Sequence, residues 1–98
     1  MTDLTREGLV ELADRVEALK TSDNAVDVLC EIALFRPSTT WASIRANHAG
    51  TKVILTDQNG RDATFRADDW THEVLGGPRV RAQTAASLRA RAMEAGRG

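Results

Sequence analysis

The chain has 98 residues, 42% of them hydrophobic and 28% charged, and a net charge of −1. That balance excludes a disordered polar chain, and the length gives room for a single small domain with one core. No apolar run is long enough to span a bilayer, and Cys30 stands alone, which excludes an internal disulfide and any multi-cysteine metal site.

The acidic, amphipathic start does not read as a secretory signal, so a reducing, cytoplasmic setting is expected. Charge is unevenly spread. Residues 1–31 hold eight acids and three bases, whereas residues 79–98 hold five arginines and one acid, Glu94. Such a split allows attraction within one fold or between two copies, and it permits a homodimer. Most of these charges read as solvated helix faces.

A first helix is predicted from about Arg6 to Lys20. Thr5 is the N-cap, Leu4 staples onto Leu9, and Leu9, Leu12, Ala13, Val16 and Leu19 make the apolar stripe. After the Thr21–Asn24 break, a second helix is predicted from about Ala25 to Phe35. It is apolar nearly all round, so it reads as the most buried helix, with Asp27 and Glu31 marking a wet edge. Pro37 stops it.

An antiparallel meander follows, with strands at about Thr40–Ala46, Lys52–Asp57 and Arg61–Ala67. Asn47–Gly50 is the first turn. For the second turn, a two-residue loop at Asn59-Gly60 would oppose Asp57 to Asp62, a like-charge pair. A three-residue loop with Gly60 left-handed puts Asp57 opposite Arg61 and is preferred. This register sets Val53 beside Phe65 and Leu55 beside Ala63. With Ala46 opposite Thr51, Ile44 falls beside Val53 and Ala42 beside Leu55, giving two apolar rows on one face for the first two helices to cover.

Gly76-Gly77-Pro78 leads to a third helix, about Arg79–Ala95. Its apolar side chains are Ala82, Ala85, Ala86, Leu88, Ala92 and Met93, with Arg81 and Arg89 in the same arc. This helix is expected to dock least firmly, with Gly96–Gly98 frayed. The fold class is therefore α+β: two N-terminal helices, a three-stranded antiparallel meander and a C-terminal helix.

No nucleophile–base pair, metal set or cofactor motif stands at useful spacing, so an enzyme is the least favoured class. The predicted register places Arg45, Lys52 and Arg66 side by side on the open sheet face. Three adjacent cations call for an anion or an acidic partner, against the plainer reading of side chains splayed into water. Trp41 would lie on that face beside Thr56 and Asp62, as a contact residue if exposed or as a structural one if packed.

The segment Asp68-Asp69-Trp70-Thr71-His72 is the densest group of potential ligands. A strand exit with Trp70 closing the core edge explains it better than a metal site. His48 reads as an exposed turn residue and Cys30 as a buried apolar one. Arg79, Arg81, Arg89 and Arg91 do not share a face, and no helix-turn-helix, zinc-finger spacing or aromatic platform is present, which disfavours nucleic acid.

Four stretches, Val26–Leu34 (VDVLCEIAL), Ile44–Asp57 (IRANHAGTKVILTD), Phe65–Thr71 (FRADDWT) and Thr84–Gly96 (TAASLRARAMEAG), resemble short accessory proteins of bacteriophages and prophages. The resemblance implies a phage-type protein that binds a host-encoded protein, host defence machinery included. It carries over no functional residues. The expected function is a non-enzymatic binding module using Arg45, Lys52, Arg66 and Trp41, with a protein that sequesters a small anionic ligand such as a nucleotide on the same basic row as the alternative and a nucleic-acid-binding module as the second alternative.

Overall fold

Two of the helices open on side chains that satisfy otherwise unpaired backbone N–H groups. In the structure, a computed structural model that describes residues 5–72 and 79–95, Thr5 Oγ1 accepts from the Gly8 N–H and starts α1 (Arg6–Ala18). Asp23 Oδ1 accepts from the N–H groups of Ala25 and Val26 and starts α2 (Asn24–Leu34). Strands β1 (Trp41–Ala46), β2 (Val53–Asp57) and β3 (Asp62–Phe65) form an antiparallel sheet in the order β1-β2-β3, and α3 (Arg79–Ala95) ends the fold. This is the α+β arrangement expected. Leu4, Gly76-Gly77-Pro78 and Gly96–Gly98 lie outside the described residues.

The second hairpin has the predicted register, with Val53 opposite Phe65 and Leu55 opposite Ala63. Gly60 takes φ +82°, and the Asp57 carboxylate accepts from the N–H groups of Asn59 and Arg61, which closes the three-residue loop. The first hairpin departs from expectation by two residues: Ile44 pairs with Leu55 and Ala46 with Val53. Asn47 is the cause. Its side-chain oxygen accepts from the N–H groups of Thr51 and Lys52, and its own N–H donates to the Lys52 carbonyl. These bonds close the turn over residues 48–51, one residue later than the predicted turn. A slip of two leaves each side chain on its expected face, because strands alternate with period two.

Near its start β1 carries a bulge between Trp41 and Ser43. The extra residue turns Trp41 onto the face of Phe65, and the two rings meet edge to face at 5.7 Å. Trp41 therefore does not lie on the open face beside Thr56 and Asp62.

The interior divides in two. Leu9, Ala13 and Val16 of α1, Val26, Cys30 and Ala33 of α2, and Ala85, Leu88 and Ala92 of α3 form one cluster, with Trp70 against it. Val28 of α2, Val53 and Ala67 form the other, joined by Ile32 and Ile44. Three expectations are corrected here. Among the described residues α1 packs on α3 and α2 and does not touch the sheet, so α2 alone covers the apolar face. Far from being loosely held, α3 is the main partner of α1, because its alanines let the two backbones approach and bury Leu88 completely. Its buried stripe is Thr84, Ala85, Leu88 and Ala92, while Ala82, Ala86 and Met93 face solvent. Lastly, Asp27 marks no wet edge: it is only 5% exposed.

The split charge is resolved within the fold. Arg89 of α3 bridges Asp14 at 2.9 Å and also Glu17, both on α1. These pairs are exposed and add little energy, yet they match the acidic first helix to the basic last one.

Candidate binding site

Because α2 spans both clusters while α1 stays off the sheet, a gap opens between α1 and the outer edge of β1. It forms a cleft of about 980 Å³. Leu12 and Arg15 of α1 make one wall, and all of Ala42–Ala46 of β1 make the other. Leu29, Ile32 and Ala33 of α2 form the floor, and Arg91 and Glu94 of α3 close one end. Leu29 is 36% exposed here, on the helix read as the most buried. At the α3 end, Arg36 donates to both carboxylate oxygens of Glu94, at 2.9 and 2.7 Å, and Arg91 donates to the same carboxylate. Those two guanidinium groups hold the Glu94 carboxyl below the usual carboxylate range.

Sequence reasoning missed this cleft. One signal was available: α2 is apolar on more of its circumference than one sheet face can cover.

The basic row on the open face is broken. With β1 shifted, Arg45 stands opposite Ile54, away from Lys52. Its guanidinium donates to Thr56 Oγ1 at 3.0 Å and to Asp62 at 2.8 Å, and Thr56 donates in turn to the other Asp62 oxygen at 2.7 Å. The Arg45 bond, then the Thr56 bond, lowers the Asp62 pKa. Lys52 and Arg66 remain neighbours, one step beyond the Val53–Phe65 pair, and both are exposed. On the opposite face Trp41 is half-buried and Phe65 is 44% exposed, which makes an aromatic pair accessible to a partner.

The Asp68–His72 segment serves the fold. Trp70 Nε1 donates to Glu31 Oε1 at 2.8 Å, and the same oxygen accepts from the Asp68 N–H. Repulsion from Glu31 is the main cause of the raised Asp68 pKa. Buried Thr71 donates to Asp27 through both its N–H, at 2.8 Å, and its hydroxyl, at 2.7 Å. Thr84 Oγ1 donates to the Trp70 carbonyl and Arg81 to that of Thr71, which ties the segment to α3. Asp69 and His72 are exposed, and among the described residues no three metal-ligating side chains converge. His48 is exposed in the first hairpin loop.

Burial pushes the Cys30 thiol up to about 12, with the charges of Asp27 and Glu31 adding to it. A nucleophile needs the thiolate, so this environment makes an inert core residue. No helix among the described residues is long and apolar enough to cross a membrane. Comparison with protein-family models, with curated proteins and with solved structures finds no match.

Proposed function

We propose that this protein is a non-enzymatic, phage-type accessory module that works in the host cytoplasm by contact with a host-encoded protein, a defence factor being one such target. The cleft beside β1 carries this reading. It is open, Leu12, Ile44, Leu29 and Ile32 line it, and Leu29 on its floor is more than a third exposed. Apolar surface of this kind, rimmed by charge, is what the centre of a protein interface uses. The Trp41–Phe65 pair, with Phe65 exposed and Trp41 half-buried, offers a second anchor.

The test is quantitative capture from host lysate with the tagged native chain, a Leu29→Arg variant, and a variant carrying Arg45→Glu, Lys52→Glu and Arg66→Glu. A host protein held by the native chain and lost by Leu29→Arg supports the cleft. Loss only in the triple variant moves the site to the open sheet face. Capture indifferent to both refutes the reading.

Sequestration of a small anionic ligand is the second reading. The adjacent Lys52 and Arg66 favour it, although Arg45, engaged by Asp62, adds little. Nucleotide-dependent thermal stabilisation that is lost on replacing Lys52 and Arg66 would select it.

A further inference from the structure

We propose that the cleft is a strand-addition slot: it takes one extended segment of a protein partner, with apolar side chains at alternate positions and an acidic residue at the α3 end. This rests on the reading of the cleft as a protein-binding site and specifies what enters it.

The backbone of β1 supplies the first argument. Among the described residues β1 is an edge strand. The bond from the Asn47 N–H to the Lys52 carbonyl marks a hydrogen-bonded pair. Antiparallel alternation then makes Arg45–Ile54 and Ser43–Thr56 bonded pairs as well. The residues between them, Ile44 and Ala46, direct their N–H and C=O groups away from β2. These are the groups that an added strand pairs with.

Shape supplies the second. Consecutive residues from Ala42 to Ala46 line the cleft, so residues of both sheet faces contribute and the cleft follows the edge of β1. Those five residues span roughly 17 Å. Dividing the cleft of about 980 Å³ by that length leaves a cross-section of about 58 Å². A strand in a packed sheet occupies about 4.8 Å by 10 Å, so the slot holds one strand. A second copy offering its own β1 would bring β2 with it, on the side where α1 stands. Leu29 and Ile32 on the floor meet alternate side chains of a single strand.

Charge supplies the third. Among the described residues, Arg15, Arg36 and Arg91 stand against Glu11 and Glu94 on the α1 wall and at the α3 end, a surplus of one positive charge. An acidic side chain on the incoming segment balances it.

The experiment selects linear peptides from a display library against the full chain, then measures their affinity for the native, Leu29→Arg and Ala46→Pro forms. Ala46 is exposed and its N–H makes no bond to β2, and edge strands accept proline, so Ala46→Pro removes one outward donor. Amide hydrogen exchange on the native chain reads the same event without mutation.

Selected peptides should carry alternating apolar residues and an acid. They should bind Leu29→Arg at least about tenfold more weakly and Ala46→Pro about five- to tenfold more weakly, the loss of one net hydrogen bond. Binding should slow exchange at the Ile44 and Ala46 amides. Binders lost in Leu29→Arg that leave both amides exchanging as before overturn strand addition alone. A library yielding no binder sensitive to Leu29→Arg overturns both the slot and the cleft reading. A concentration-dependent dimer that protects the two amides without peptide overturns the choice of occupant.

Discussion

Asp27 is the residue whose loss the fold should feel most sharply for its size. It is 5% exposed and accepts two hydrogen bonds from Thr71, one from the backbone at 2.8 Å and one from the hydroxyl at 2.7 Å. The same hydroxyl accepts from the Asp23 N–H at 2.9 Å, so the start of α2 hangs on this junction. Asp27→Ala removes both acceptor contacts, leaving the buried Thr71 N–H without a partner and its hydroxyl with only the Asp23 carbonyl at 3.4 Å.

Hydrogen bonds to a charged group contribute about 1.5–3 kcal/mol each, and an orphaned buried donor costs about 1–3 kcal/mol, so a loss of about 3–5 kcal/mol is expected. A domain of this size has about 5–15 kcal/mol in total, and each kcal/mol moves the midpoint by about 4–8 °C. The melting temperature should therefore fall by at least about 12 °C. Urea unfolding followed by far-UV circular dichroism measures the free energy directly. Asp27→Asn keeps an acceptor oxygen for both donors and should lose about half as much or less. If Asp27→Ala cost under about 1 kcal/mol, the junction would be solvated and the reasoning refuted.

Three further outcomes are expected. Leu88→Ala, at a fully buried position between α1 and α3, should cost about 2–5 kcal/mol through lost burial and a residual cavity; chemical denaturation with an unchanged m value would check it, and a smaller loss would mean that the two helices close over the gap. Cys30 should resist a thiol-specific reagent at neutral pH until the chain is unfolded, since burial holds its pKa near 12; rapid labelling of the folded chain would contradict this. The carboxyls of Asp62 and Glu94 are depressed in the folded state, so their pairing is present above the ordinary carboxylate pKa and is lost as pH falls through their lowered values. An NMR titration should show each protonating below the ordinary value for its own side-chain type.

How far the sequence foretold the fold depends on which side chains set each element. In the second hairpin, Asp57 and Gly60 sit within the turn and dictate its geometry, so the pairing of Val53 with Phe65 could be read directly. The first hairpin depended on Asn47 bonding across the loop to Thr51 and Lys52, a choice that residue pattern alone does not distinguish from a turn one residue earlier. The bulge that turned Trp41 toward Phe65 leaves no local signature of its own.

Tertiary partition was the least legible. Both α1 and α2 have stripes suited to a sheet, and nothing in α1 says that the alanines of α3 compete better for it. That outcome created the cleft, so the candidate site was hidden for the same reason. Asp27 was misplaced because its partner, Thr71, is 44 residues distant, and periodicity carries no information about such a pairing.

One feature of the interior bears on how the molecule behaves as a mechanical object. The helical cluster and the sheet cluster share a single member element, α2, which sends Cys30 and Ala33 one way and Val28 and Ile32 the other. It works as an axle carrying two lobes, with the slot as the open angle between them. A guest strand wedged there would brace α1 against β1 and lock the lobes together, so occupancy would be felt throughout the chain as a sharper, more cooperative melt. In that sense the partner would supply a missing structural layer.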